Sequence, residues 1–316
     1  VSKPLVLLDI PLPSFLQEMI QECCDTRPWE WLAAVHQELS QIRGIYTYGH
    51  AVVNGPFMDR LPALQVISNF GVGVDHIDLA AASARRIQVG NTPGVLDGAT
   101  ADLTIALMLA AARNVVVGDC FARGPDFIHY DPSHLLGSEV FGSTLGIVGL
   151  GRIGLQVARR AIGFDMRVLY HNRRPNLSAE RSFGVQYASL DDLLAQSHFV
   201  TLNLPLTPET VGLIGESQLR RMRSDAILVN VARGAIVDHS ALYRALTERW
   251  IGAAAIDVTD PEPLPREHPL LQLKNLVITP HLGSATWRTR GRMGEMTAAN
   301  LISGLNGQPL PYPVGG

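Results

Sequence analysis

An α/β fold built on parallel sheets follows from three features of the 316-residue chain. Short apolar runs alternate with stretches of 3.6-residue periodicity from end to end, the pattern of repeated strand–helix–strand units. Several runs, Ala226-Ile-Leu-Val-Asn230 among them, are apolar at consecutive positions, as strands buried on both faces are. One run leads directly into Gly149-Leu-Gly151-Arg-Ile-Gly154, a glycine spacing that gains meaning where a strand turns into a helix. At roughly 150 residues per domain, the length suits two domains.

Taken in order, the apolar runs predict strands over residues 5–9, 44–46, 66–69, 88–90, 144–149, 167–171, 199–202, 226–229, 253–257 and 276–278. Helical periodicity is clearest over 156–162, 190–195 and 240–247. Residues 99–117 read as one Ala-rich helix, apolar nearly all round, as helices at a core are. A polar, Gly/Pro-containing stretch follows at 123–143, and the start of that helix sets a domain boundary near residue 97.

Composition narrows the function. Hydrophobic residues make up 47% of the chain, enough apolar surface to exclude disorder. A net charge of −3 supplies no basic field for nucleic acid or a membrane surface. Cys23 and Cys24 are adjacent and Cys120 is distant, so neither a disulfide framework nor a metal spacing is present, and a reducing, cytoplasmic setting is expected. The apolar run at 105–112 is too short to span a bilayer, and the N-terminal run too short for a signal-peptide core.

The glycine run predicts a dinucleotide site. Gly149 permits the tight turn, Gly151 lets the backbone approach a pyrophosphate, and Gly154 allows close helix–strand packing. Arg152 and Ile153 open the helix, whose N-terminus offers N–H groups and the positive end of its dipole to an anion. An NAD site would place an acid at the end of the next strand, to bind the ribose 2′-hydroxyl. No acid occurs between Asp165 and Glu180; Asn172, Arg173 and Arg174 stand there instead. Guanidinium groups suit a 2′-phosphate, so NADPH is expected over NADH.

Three later segments carry charge at predicted strand ends: Asn230-Val-Ala-Arg233, Asp257-Val-Thr-Asp-Pro-Glu262 and Thr279-Pro-His281. In a doubly wound sheet such ends converge on the ligand crevice. An Arg, an acid and a His there meet the needs of carbonyl reduction. The oxygen becomes an alkoxide and requires a proton donor, a role that suits histidine (His281). A carboxylate on the far imidazole nitrogen (Glu262) orients the ring and favours its charged form. Arginine (Arg233) grips a substrate carboxylate and polarises the carbonyl.

These motifs, in this order, resemble the D-isomer-specific 2-hydroxyacid dehydrogenase family from about residue 64 to 309, most nearly its glyoxylate/hydroxypyruvate reductases. The resemblance implies two Rossmann-like domains, a substrate domain of residues 1–97 plus 285–316 and a cofactor domain of 98–284 inserted into it, with substrate in the cleft between. It implies that the amides of Val72 and Gly73 take the substrate carboxylate; independently, a glycine-rich loop after a strand is a candidate anion nest. It sets Asp257 at the nicotinamide carboxamide and Pro205, Val231 and Gly283 along the cofactor. The expected protein is a homodimer acting on a small 2-oxo acid, without nucleic acid, membrane or metal.

The sequence departs from the family pattern in two places. The 119–142 region lacks the tryptophans often found there, which puts in doubt contacts from a neighbouring subunit. Trp287 is followed by Arg288, where Glu is frequent; Trp287 fits either the mouth of the substrate pocket or an interface. The rival expectations are a reductase of 2-ketogluconate or another 2-oxo sugar acid, and a catalytically weak dinucleotide-sensing scaffold or corepressor.

Overall fold

The computed structural model describes residues 3–9, 11–33, 38–49 and 51–315. The chain forms two units, Val1–Leu96 with Thr286–Gly316, and Asp97–Ala285. Residues 1, 2 and 316, which the expected domain limits include, lie outside the described residues. Both units are parallel-sheet α/β structures, as the alternation of strand and helix signals predicts.

The first unit runs β1 (Leu5–Leu8), α1 (Ser14–Gln21), β2 (Asp25–Pro28), β3 (Ile42–Thr47), α2 (Gly55–Asp59), β4 (Val66–Asn69), α3 (Leu79–Ala84) and β5 (Gln88–Gly90). Its five-stranded sheet has the order β2-β1-β3-β4-β5, with every pair parallel. Successive side chains of a strand point to opposite faces. Leu5 and Leu7 accordingly pack with Ile45 and Ile67 on one side, and Val6 and Leu8 with Tyr46 and Val66 on the other. The order reverses between β1 and β3, and the loop after β4 that holds Val72 and Gly73 leaves from the carboxyl ends of the strands.

The second unit opens with α4 (Asp97–Ala112) and α5 (Val115–Arg123) and continues through β6 (Thr144–Val148), α6 (Arg152–Ile162), β7 (Arg167–His171), α7 (Leu177–Phe183) and β8 (Gln186–Tyr187). It then runs α8 (Leu190–Gln196), β9 (Phe199–Leu202), α9 (Glu216–Arg221), β10 (Ile227–Asn230), α10 (His239–Thr247), β11 (Ala253–Ile256) and β12 (Leu276–Ile278). The seven-stranded sheet is ordered β12-β11-β10-β9-β6-β7-β8. Its order reverses between β6 and β9, which sets the glycine loop after β6 at the switch point. β10, β11 and β12 are neighbours in register, so the segments that follow them emerge side by side. The chain then returns to the first unit with α11 (Trp287–Leu305), whose Ala298 and Leu301 cover Val6, Tyr46 and Val66.

The structure corrects the single helix expected over 99–117. It is two helices bent by 59°, broken at Asn114, whose backbone is left-handed at φ 52°. Asparagine tolerates that conformation, and here its amide nitrogen donates to the carbonyl oxygens of Leu135 (3.2 Å) and Leu136 (3.3 Å). Among the described residues no single helix is long and apolar enough to cross a membrane. Strand ends also move by a residue or two: β6 stops at Val148 and β11 at Ile256, β3 is longer than expected, and β10 is shifted to Ile227–Asn230. β2 and β8, which no apolar run announced, are edge strands.

Candidate active site

At the end of β6 the chain turns sharply. Gly149 has φ 99°, and a Cβ there would lie 2.7 Å from the carbonyl carbon of Asn203, so glycine is required. Gly151 caps α6 with open space where a side chain would stand, which leaves room for a ligand to approach the backbone. A Cβ on Gly154 would run into the carbonyl of Gly149, so the first turn of α6 lies against the loop. Arg152 and Ile153 are the first two residues of that helix. The loop therefore has the shape that accepts a diphosphate on N–H groups at a helix N-terminus.

Asn172, just beyond β7, braces this loop. Its Oδ1 accepts the N–H of Leu150 at 2.7 Å. Arg173 and Arg174 follow and are exposed. Across the switch point, Asn203 donates its N–H to the carbonyl of Val148 at 2.8 Å, which sets the 203–210 turn beside the loop. Within that turn the carbonyl of Pro205 accepts the Thr210 hydroxyl at 2.8 Å. The Glu209 carboxyl is held below its ordinary range, chiefly by the Thr207 side chain, with the charge of Arg173 adding to the effect.

The three segments after β10, β11 and β12 meet at the same end of the sheet. After β10, buried Asn230 ties off the Val231–Arg233 turn. Its Nδ2 donates to the carbonyl of Arg233 at 2.9 Å and its Oδ1 accepts the N–H of Ala232 at 3.0 Å. Gly234 lies so close to the backbone of Thr259 that a Cβ would collide with it, which fixes this turn against the loop that holds Glu262.

Asp257, 2% exposed, organises the turn after β12. Its Oδ1 accepts from the Thr279 hydroxyl (2.6 Å) and the N–H of Leu282 (2.7 Å), and its Oδ2 from the N–H of Gly283 (2.8 Å). Its carbonyl accepts the N–H of His281 at 2.9 Å. His281, at φ 54°, is in the left-handed region that side chains rarely adopt, and the Asp257 contacts hold it there.

His281 Nδ1 lies 2.6 Å from Glu262 Oε1, with the two side chains 49% and 42% exposed. Partial burial opposes ionisation of Glu262. The hydrogen bond and charge of His281, the Thr259 N–H and the charge of Arg233 outweigh it and leave the carboxyl below its ordinary range. Glu262 is thus an ionised acceptor near neutral pH, fit to orient the imidazole.

Arg233, Glu262 and His281 are brought together, with Asp257, Val231 and Gly283 in the same turns. Val72, Gly73 and Trp287 belong to the first unit. There Asn69 Nδ2 donates to the carbonyls of Gly71 (3.1 Å) and Gly73 (2.9 Å), and Asn91 Nδ2 to that of Val72 (2.9 Å), so the loop backbone is pinned. Trp287 opens α11 with a side chain 99% exposed. Sequence reasoning did not single out Asn230 or Thr279, whose trace is a polar residue at or just beyond the end of an apolar run.

The family model described as the NAD-binding domain of D-isomer-specific 2-hydroxyacid dehydrogenases matches residues 105–283. A glyoxylate reductase from Korarchaeum cryptofilum is 48% identical over 260 residues, which cover 82% of this chain and 78% of that protein. The crystal structure of the TT0316 protein from Thermus thermophilus superposes with a TM-score of 0.89 at 43% identity, over 98% of this chain and 99% of that one. An NADPH-dependent glyoxylate/hydroxypyruvate reductase from Sinorhizobium meliloti, solved with NADP and malonate, gives 0.90 at 31% identity, over 99% and 97%.

Proposed function

Because the chain belongs to the D-isomer-specific 2-hydroxyacid dehydrogenase family, we propose that it reduces glyoxylate and hydroxypyruvate to the corresponding 2-hydroxy acids, with NADPH preferred over NADH. The observation that carries this reading is the 2.6 Å His281–Glu262 pair beside Arg233 at the sheet end that the glycine loop shares.

The residues present fit a dinucleotide. Gly149, Gly151 and Gly154 shape the loop, and α6 turns its N-terminus towards the open space at Gly151. Arg152, Ile153 and Gly151 would hold the diphosphate, Arg173 and Arg174 the 2′-phosphate, and Pro205, Val231, Asp257 and Gly283 the remainder. When bound, the nicotinamide supplies the hydride that reduces the substrate carbonyl carbon. His281 gives a proton to the carbonyl oxygen as negative charge develops there. Glu262 occupies Nδ1, which assigns the transferred proton to Nε2. Arg233 holds the substrate carboxylate and polarises the carbonyl.

The preference for NADPH is supported by two exposed guanidinium groups at the tip of β7, in a segment that has no acid between Asp165 and Glu180. A homodimer is supported by apolar side chains that stand out into solvent along the 115–141 region, with Ile128, Tyr130 and Leu136 81%, 79% and 76% exposed. Light scattering on the purified protein tests that. A cytosolic setting belongs to the same proposal, since the thiols of Cys23, Cys24 and Cys120 are unbridged, as a reducing compartment keeps them.

Steady-state kinetics on glyoxylate, hydroxypyruvate and 2-ketogluconate with both cofactors tests the whole reading. Higher kcat/KM on the two smaller acids with NADPH is the expected result. Preference for 2-ketogluconate would move the assignment to sugar acids, and near-zero turnover on all three would favour a dinucleotide-sensing scaffold.

A further inference from the structure

Two ion pairs link α4 to α6, and they differ in kind. Arg160 closes on Asp102 with Nε at 2.7 Å and Nη2 at 2.6 Å, and also donates to the carbonyl of Gly98 at 3.2 Å. Those contacts fix the first turn of α4 against α6. Arg152 meets Asp97 by one longer approach, Nε to Oδ2 at 3.7 Å. The Arg152 side chain is 61% exposed, whereas that of Asp97 is 13% exposed. A carboxylate is therefore held, mostly out of water, beside the helix N-terminus on which a diphosphate would bind.

We propose that Asp97 is an exchangeable counter-charge for the diphosphate site. It pairs with Arg152 until an anion arrives, yields the guanidinium to the diphosphate, and takes a proton from solvent as it does so, so that dinucleotide affinity falls as pH rises. The inference rests on placing the dinucleotide at the glycine loop.

Among the described residues, the charged groups near this turn include Arg152 and Arg160 on α6, Asp102 on α4 itself, and Asp257, whose carboxylate holds Gly283 against Thr100. Asp102 is committed to Arg160, and Asp257 to three donors. That leaves Asp97 as the acid of this group with a loosely held partner. Burial favours its neutral form and raises its pKa above the ordinary carboxyl value, while Arg152 pulls the other way. Moving Arg152 to a phosphate removes the opposing influence and adds a nearby negative charge. Both changes push the pKa higher still. A group whose pKa rises on binding takes up protons, and affinity is then greatest on the acid side of the interval between its free and bound values.

The test is isothermal titration of NADH, which has no 2′-phosphate to titrate, into wild type and Asp97→Asn in two buffers of different ionisation enthalpy, from acid to neutral pH. Wild type should take up a fraction of a proton per NADH, and its Kd should weaken as pH rises. Asp97→Asn should bind roughly threefold to fivefold tighter at neutral pH, the upper range of a solvent-facing ion pair, with little uptake. Asp97→Ser serves if the first variant does not fold. NADPH titrations should show the same difference between variants. Equal proton uptake and unchanged affinity in the variants overturns the proposal. Failure of wild type to bind either dinucleotide overturns the glycine-loop reading on which it rests.

Discussion

Asp257 carries His281: its carbonyl accepts the His281 N–H at 2.9 Å, and its carboxylate accepts the next two N–H groups in the chain at 2.7 and 2.8 Å. His281 is therefore positioned by a buried acid one strand away, and its left-handed backbone is held by bonds that a neutral side chain would weaken. Asp257→Ala should cost on the order of 3 kcal/mol of stability, since it orphans buried donors. It should also lower kcat more than His281 accessibility alone would suggest. Urea denaturation and turnover, measured on the same preparation, check both.

His281→Ala should reduce kcat by about 100-fold to 10,000-fold, the range for loss of a positioned general acid. NADPH affinity should be nearly unchanged. Full activity in that variant would remove His281 from the chemistry. Arg233→Ala should act chiefly through substrate, raising KM for 2-oxo acids, with dinucleotide Kd as the control.

Glu262 sets a pH signature. Its folded carboxyl titrates below the ordinary range, so its contribution to stability is present above the unfolded value and is lost as pH falls through the folded one. Wild type and Glu262→Gln should therefore differ in Tm at neutral pH, and converge in acid below the ordinary carboxylate range. A difference that persists unchanged into strong acid would show that the carboxylate charge is not what the variant removes.

Asn172 allows cofactor choice to be separated from loop integrity. Asn172→Asp keeps an oxygen for the Leu150 N–H and adds negative charge beside Arg173 and Arg174. It should lower kcat/KM for NADPH by about tenfold or more while sparing NADH. Asn172→Ala removes the brace and should weaken both cofactors alike. A measured preference of wild type for NADH would refute the assignment to Arg173 and Arg174.

Trp287 is surrounded by solvent, so Trp287→Ala should change stability by less than about 0.5 kcal/mol. Its work, if at the substrate, appears in KM for hydroxypyruvate; if at an interface, in the dimer dissociation constant by sedimentation.

Much of this was legible in the sequence because the chemistry uses residues with distinctive spacing. The glycine loop and the Arg, Glu and His motifs sit at strand ends where apolar runs stop, and parallel order aligns those ends. What was not legible lacks such contrast. β2 is Asp25-Thr-Arg-Pro28, with no apolar face to reveal an edge strand. The break is a two-residue polar step, Arg113-Asn114, between apolar stretches that read on as one pattern. Asp97 lies ahead of the helix predicted over 99–117 and carries no motif, and its pairing with Arg152, 55 positions on, depends on how α4 lies against α6.

The return of α11 to the first unit has a consequence for biosynthesis. Val6, Tyr46 and Val66 are covered in part by Ala298 and Leu301. Roughly 200 residues of chain must be translated between β5 and that cover, about 10–40 s at ordinary elongation rates. Through that interval the nascent sheet presents an apolar face with its last layer still unmade, while Asp97–Ala285 forms a compact unit of its own. A newborn chain is thus most in need of a chaperone in its first third, and truncation before Trp287 should yield an aggregating fragment rather than a shorter enzyme.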